Sequence, residues 1–471
     1  MNNPEFKRNL WLEFSPQRLL LMPLMLALIA ALTIFLSEQD NASSNLHLVF
    51  SILGGLLAVG WGSFAVMHSI NSEISERTWD QQRLCSLTPW QMAWGKLLGA
   101  SAYAWYGALL CAAVALVTGL LGSNPIRAVI LLVAAILGTL ATHCWLMASR
   151  LHTMDVHRGE SSRTVQRLFG IFMLLQILPV ILMAIFQNRE DNQLSLWWGI
   201  PLGFSSLSLL LAVQALALGL LALWRSMSTQ LMVRTTPWAW FTGCAALGFI
   251  FAGFADAPQL GWLWPIMICT ALVASYFALF TEKNNALVWH TVLYHARHRA
   301  WLRCLQALPL WPVSWLLALL VTLLYTAYTG ASSHIASDTA NAALSQKMGK
   351  VLPSMMWMLL LHALRDAGIY LFFAWRNSTR KPAGMALLTY AVLGYILPLF
   401  AGVGSGGLAQ LFEPLTGFTL RNLYAETGFF FSSLAWLAMC THVLIVAALL
   451  VWRWRSVVAL QQDKISDKSR D

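Results

Sequence analysis

Long apolar runs separated by short polar stretches dominate the pattern of this chain. A helix needs roughly 20 apolar residues to cross the hydrocarbon core of a bilayer, and runs of about this length recur along the sequence. The pattern predicts an all-α, polytopic integral membrane protein with about twelve transmembrane helices. The predicted spans are 19–36, 48–70, 97–121, 127–148, 168–187, 204–224, 238–255, 261–281, 308–328, 352–375, 384–403 and 430–452.

Composition supports this interpretation. Of the 471 residues, 58% are apolar and only 11% are charged, and the mean hydropathy is +0.62. Soluble domains carry roughly a quarter of their residues as charges and keep them outside. So few charges cannot cover several soluble domains, which excludes a soluble multidomain enzyme.

The positions of the cationic residues predict the topology, because Lys and Arg collect in cytoplasmic loops. Most of the 30 Lys and Arg residues fall on the side of the N-terminus. The exceptions are Arg365, which lies within a span, and the residues of the opposite side, Arg127, Arg189, Lys347, Lys350 and Arg421. We therefore expect both termini in the cytoplasm, and the net charge of +10 needs no nucleic-acid partner.

The spans suggest two six-helix halves, residues 19–226 and 238–455, between an amphipathic interfacial segment at 1–18 and a cytoplasmic tail at 456–471. In the loop that follows the eighth span, Arg303, Pro309, Trp311 and Trp315 can be aligned with Arg83, Pro89, Trp90 and Trp94. Four matches in so biased a composition leave the repeat an open hypothesis.

Residues 71–96 form the most polar stretch on the predicted cytoplasmic side. Its charged residues recur at spacings of three and four, which places them on one face of a helix. Thr88 before Pro89 is typical of an N-cap followed by proline at the first helical position. An ordinary charged loop is the alternative interpretation.

This segment resembles the coupling helix of permease subunits of type-two ATP-binding-cassette (ABC) exporters, over a region that covers mainly residues 1–226. The resemblance lies in an acidic pair, an Arg-Thr step, a Leu-Thr-Pro turn and a Gly-Lys step, which are Glu73, Glu76, Arg77, Thr78, Leu84, Leu87, Thr88, Pro89, Gly95 and Lys96. It implies an exporter of the bacterial cytoplasmic (inner) membrane. The ATPase-coupling residues that it implies are Glu73, Glu76, Arg77, Thr78, Asp80, Arg83, Pro89 and Lys96.

Neither Gly95-Lys96 nor Gly349-Lys350 has the glycine spacing of a phosphate-binding loop. The resemblance therefore implies that ATP binds a separate cytoplasmic ABC ATPase dimer. This chain would be a permease, not an enzyme, with no cofactor or metal of its own. If its halves do not form a pseudo-dimer, we expect a homodimer or a second permease subunit.

Polar residues within a span are costly and often functional. His362, Arg365 and Asp366 lie in the tenth predicted span. A spacing of four would let His362 pair with Asp366, whereas the neighbours Arg365 and Asp366 point about 100° apart on a helix. We favour an internal ion pair over a proton relay. The relay would make the protein a proton- or sodium-driven secondary transporter of twelve spans, which is the main alternative function.

Two further segments carry weaker signals. Residues 192–203 and 402–428, on the predicted outer side, are broken by Gly or Pro. In the resembling family such segments are re-entrant helices, and an ordinary outer loop is the alternative. His290, His295 and His298 share one basic loop without a Cys or acidic partner, which favours a solvated loop over a zinc site.

Overall fold

The computed structural model describes residues 3–37, 41–76, 78–85, 87–122, 124–156, 195–254, 263–282, 284–332, 340–375 and 433–468, with four single positions between 385 and 392. The chain divides into two compact units, and the division falls after Thr235.

The first unit is helical apart from one hairpin. Its helices are α1 (Pro4–Glu13), α2 (Pro16–Leu36), α3 (Ala42–Gly55), α4 (Gly62–Ser75), α5 (Thr78–Gln82), α6 (Pro89–Ala100), α7 (Ala102–Leu120), α8 (Pro125–Val156) and α9 (Phe204–Gln230). A π-helical segment, Leu56–Trp61, joins α3 to α4. The most extensive packing pairs α8 with α9, α3 with α7, and α1 with α6.

The described part of the second unit is helical throughout. Its helices are α10 (Trp238–Ala252), α11 (Leu263–Thr281), α12 (Ala286–Arg297), α13 (Trp301–Ala307), α14 (Leu310–Ser332), α15 (Ala340–Ala374) and α16 (Ser433–Lys468). Helix α11 packs between α10 and α14, and α15 packs against α16. Buried apolar side chains on α11, α14 and α15 form one core cluster around Tyr325.

Nine helices of the described ranges are long and apolar enough to cross a membrane. In lipid a spanning helix satisfies its own backbone groups, which is why apolar runs of this length become helices. The prediction of an all-α polytopic membrane protein is confirmed. Helix α10, with 15 residues, is shorter than a full crossing. The predicted spans 168–187 and, apart from four positions, 384–403 lie outside the described residues, so the count of twelve stays a prediction.

The third predicted span, 97–121, is divided. Ser101 separates α6 from α7, and its hydroxyl donates to the Leu97 carbonyl at 2.6 Å. The apolar run long enough to cross a membrane begins at Ala102. The predicted start at 97 is therefore wrong, because α6 packs against α1 as a separate helix.

The described part of the segment 192–203 is a β-hairpin. Strand β1 (Ser195–Trp197) pairs antiparallel with β2 (Ile200–Leu202). Trp198 and Gly199 form the turn with φ of 52° and 73°, and two-residue hairpins favour positive φ at both turn positions. A re-entrant helix is excluded for these residues, whereas 402–428 lies outside the described residues.

The π-helical segment lies beside a buried histidine. The ring of His143, on α8, is fully buried, and its Nε2 donates to the Ala58 carbonyl at 3.0 Å. A Cβ added at Gly62 would lie 2.7 Å from the same ring. A π-turn widens the helix and disturbs its regular hydrogen bonds, so a side-chain donor at Ala58 stabilises it. His143 therefore has a packing role.

Two glycines let α1 approach α6 closely. Gly95 and Gly99 are four residues apart and share one face of α6. A Cβ at Gly95 would lie 2.7 Å from the Cβ of Glu5, and one at Gly99 would lie 2.6 Å from the Cβ of Asn9. Any larger residue would force the two helices apart.

We predict that Gly99→Ala destabilises the protein, because the added methyl group overlaps Asn9 and overpacking costs about 1–3 kcal/mol. Gly138→Ala is the control, since no atom lies within 4 Å of a Cβ there. The control should leave stability unchanged or raise it by up to about 1 kcal/mol. Thermal unfolding of the purified proteins measures the stability of both variants. Equal stability of the two variants would contradict the close packing of α1 on α6.

Candidate functional site

Residues 71–96, which we call the coupling segment, turn between two helices. Helix α4 ends at Ser75, where the Glu76 N–H bonds to the Ser72 carbonyl at 2.8 Å. The short helix α5 follows, and α6 begins at Pro89. The Thr88 hydroxyl accepts from the Gln91 N–H at 3.3 Å, and the Gln91 side chain accepts from the Thr88 N–H at 3.1 Å. This capping box confirms the N-cap predicted at Thr88.

A buried ion network joins both ends of the coupling segment to the N-terminal helix. The Lys96 ammonium is enclosed, with a relative exposure of 1%. Its Nζ lies 2.5 Å from Oε2 of Glu73 and 2.9 Å from Oε1 of Glu5. Arg8 adds a second cation, 2.7 Å from Glu73 Oε1 and 2.9 Å from Glu5 Oε1. The network thus links α1, α4 and α6.

The network is balanced in charge, and Arg8 lies at its accessible edge with 45% of its side chain exposed. Two carboxylates face two cations, so no buried charge lacks a partner within it. The Lys96 ammonium also lies 5.4 Å from the centre of the buried Trp79 ring. Isolated buried charges cost several kcal/mol, and only well-placed partners offset that cost. The geometry therefore fixes the relative positions of the three helices.

Other polar contacts attach the coupling segment to α8 and α9. Arg83 donates to Oε1 of Gln230 at 2.8 Å, and Gln230 in turn donates to the Leu151 carbonyl at 2.8 Å. Asn71 accepts from Nε of Arg150 at 2.5 Å. Directed bonds therefore attach the segment to three neighbouring helices, α1, α8 and α9.

The tip of the segment is exposed. Glu76, Asp80 and Cys85 are exposed, and Leu84 keeps 88% of its surface accessible. Exposed large apolar residues beside charges are common in contact surfaces. The tip can therefore present two carboxylates and one leucine to another molecule.

The structure separates the predicted coupling residues into two groups. Glu76 and Asp80 lie at the exposed tip, and Pro89 begins α6. Glu73 and Lys96 are buried and bind each other, so their side chains do not face a partner in this structure. Two more residues make internal contacts, since Thr78 donates to the Glu73 carbonyl at 3.3 Å and Arg83 to Gln230. Arg77 lies outside the described residues.

Glu5 and Asn9 belong to the site, although the sequence pattern did not assign them to it. Helix α1 turns these polar residues inward and leaves Trp11 and Leu12 exposed, and its place on the membrane surface stays a prediction. The Asn9 amide donates to the Glu5 carbonyl at 3.0 Å and to its carboxylate at 3.2 Å. The i,i+3 spacing of Glu5 and Arg8 was a signal for an ion pair on one helix, but it does not tell which face of that helix points inward.

The intramembrane cluster also differs from its prediction. Asp366 accepts from Nε and Nη2 of Arg365 at 2.9 and 2.7 Å, and from the Tyr276 hydroxyl at 2.8 Å. The long guanidinium side chain folds back onto its neighbour, so the expected 100° separation does not prevent pairing. Nδ1 of His362 donates to the Met358 carbonyl at 2.7 Å. The cluster joins α15 to α11.

An apolar cavity lies in the first unit, between α3, α7 and α8. It has a volume of about 130 Å³, and its few polar groups include Ser51, Thr139 and His47. The described residues contain no group of three His, Cys, Asp or Glu side chains that could hold a metal ion. An apolar ligand or chain segment fits such a cavity better than a charged one.

We predict that Lys96→Met lowers stability by about 3–5 kcal/mol, because two buried carboxylates then share one cation. Adding Glu73→Gln should recover part of the loss, since it restores charge balance. The exposed Arg18–Glu13 pair, at 3.5 Å, is the control, and Arg18→Gln should change little. Thermal unfolding of the three variants measures this, and simple additivity of the two buried substitutions would contradict a coupled network.

Comparison with protein-family models, with curated proteins and with solved structures finds no match. The resemblance of the coupling segment to type-two ABC permeases is therefore an argument from its residues alone. What the sequence and fold establish is the broader class, a polytopic membrane protein built of helices.

Proposed function

We propose that this chain is the transmembrane permease subunit of an ABC-type transporter, which exports its substrate with a separate cytoplasmic ATPase. One observation carries the proposal: the exposed residues Glu76, Asp80 and Leu84 lie between Glu73 and Lys96, which a buried ion network joins to each other and to α1. A partner that pushes the tip displaces a connected body of helices. A loosely attached loop would absorb the same push.

Two helices, α4 and α6, connect the ion network to the membrane spans. Glu73 lies on α4, which continues without a break into the helical run Ala42–Ser75, long enough to span the bilayer. Lys96 lies on α6, which leads through Ser101 into the span α7. ATPase closure would therefore move both spans together, and this motion would switch the pathway from inward to outward access.

The ATPase belongs to another subunit in this proposal. Lys96, in one of the two Gly-Lys steps, is enclosed by Glu73 and Glu5, so it is not available to phosphates. We place ATP on a cytoplasmic dimer that binds the coupling segment. The permease itself would act as a pseudo-dimer of its two halves, as a homodimer, or with a second permease subunit.

Charge supports a location for the N-terminal side. The N-terminal helix and the coupling segment contact each other, which supports placing them on one side of the membrane. The excess of Lys and Arg on that side supports a cytoplasmic location. We propose the bacterial cytoplasmic (inner) membrane, with both termini inside.

We predict that Leu84→Asp and Asp80→Lys each weaken binding of the cytoplasmic ATPase about tenfold or more, because they change the centre of the contact. Leu196→Asp, on the exposed β1 strand, is the matched control and should bind normally. Co-purification and substrate-stimulated ATP hydrolysis are the measurements. Glu76→Lys is a further variant of the tip. If both tip variants, or this one, bound the ATPase and transported normally, this coupling site would be excluded.

A proton- or sodium-driven carrier is the second candidate, because Asp366 is a largely buried carboxylate in a span. For the ABC-type function we expect transport in proteoliposomes to require the ATPase and ATP. It should also survive an ionophore that collapses the ion gradients, and Asp366→Asn should retain transport if the folded fraction is retained. Gradient-driven transport by this chain alone, abolished in Asp366→Asn, would establish the carrier instead.

A further inference from the structure

The loop between α11 and α14 forms two amphipathic helices, α12 and α13. We call residues 286–307 the basic hairpin. Its turn includes Arg299 with φ of 54°, and the Ala300 N–H bonds to the His295 carbonyl at 2.9 Å. Both helices lie between the end of one candidate span at Thr281 and the start of the next at Leu310. The hairpin is thus anchored at both ends at the membrane boundary.

The basic hairpin carries cations without counter-charges. Arg297, Arg299 and Arg303 are exposed, and none forms an ion pair with any residue that the structure describes. The sequence has no Asp or Glu between Glu282 and Asp338. Three guanidinium groups therefore create a positive field over the whole loop.

Large apolar side chains are interleaved with these cations. Trp301 and Leu302 keep 64% and 63% of their surfaces exposed, and Leu287 keeps 58%. Leu293 and Leu305 are also exposed. A loop surrounded by water rarely exposes so many large apolar groups in so short a stretch.

Aromatic contacts indicate how deep the basic hairpin lies relative to the membrane headgroups. Trp289 on α12 lies 6.0 Å, between ring centres, from Trp311 at the start of α14. The His290 ring stacks on Trp454 of α16 at 6.3 Å. Tryptophan at the ends of spans marks the headgroup level of a bilayer. Helix α12 therefore lies at that level.

We propose that the basic hairpin binds anionic phospholipid headgroups. Its leucines and Trp301 enter the boundary between acyl chains and headgroups, and its three arginines bind lipid phosphates, to which a guanidinium can donate two parallel hydrogen bonds. The charge, the exposed apolar surface and the depth all match an anionic membrane surface. This inference is independent of the ABC-type function.

Hydrogen exchange on the full chain in nanodiscs tests the proposal. One preparation contains phosphatidylcholine alone, and the other contains equal parts of phosphatidylcholine and phosphatidylglycerol. We expect exchange in residues 286–307 to be at least about fivefold slower with the anionic lipid, which is the effect of roughly one cation near such a surface. Residues 78–85 of the exposed tip serve as the internal control and should not respond.

Two triple variants distinguish the effect of lost charge from the effect of lost structure. The variant with Arg297, Arg299 and Arg303 changed to Gln should lose the lipid response, whereas the variant with Lys at all three positions should keep most of it. Equal exchange in both lipids for the unmodified chain, or an unchanged response in the Gln variant, would overturn the proposal. A third outcome also overturns the proposal: the exchange rate is the same in both lipids, and the Gln variant loses a cytoplasmic protein that co-purifies with the unmodified chain. The hairpin would then be a protein-docking surface.

Discussion

A lysine ammonium enclosed by protein needs negative partners, since its hydration is lost and its charge remains. Lys96 meets this need with Glu73 at 2.5 Å and Glu5 at 2.9 Å. Lys96 and its two partners lie on three different helices, α6, α4 and α1. One cluster of charges therefore fixes the position of the N-terminal helix relative to the end of α4 and the start of α6.

Glycine and charge act together at this point. Helix α1 reaches the network only because Gly95 and Gly99 leave room for Glu5 and Asn9. Small residues let two helix backbones approach closely, and polar pairs can then join the helices. The second unit uses the same principle at another place, where Asp366 binds both Arg365 and Tyr276 and so joins α15 to α11.

Some residues of the candidate site could be predicted, but their roles could not. The spacing of Glu73, Glu76 and Asp80 indicated a charged helical turn, and the N-cap at Thr88 was predicted correctly. Helical spacing cannot say which of these carboxylates points inward, because that depends on what packs against the helix. Only the position of α1 decides that Glu73 is buried and that Asp80 is exposed.

The sequence by itself determined the all-helical membrane class and most of the spans within the described ranges, because a bilayer forces each apolar run of sufficient length to satisfy its own backbone. It also determined the distribution of cations that predicts the topology. The tertiary structure alone decided the break at Ser101, the hairpin at 195–202, the inward face of α1 and the pairing of Arg365 with Asp366. The inward face of α1 depends on packing against α6, which is distant in sequence. The hairpin, the break at Ser101 and the Arg365–Asp366 pair are short-range contacts, and apolar periodicity carries no information about them.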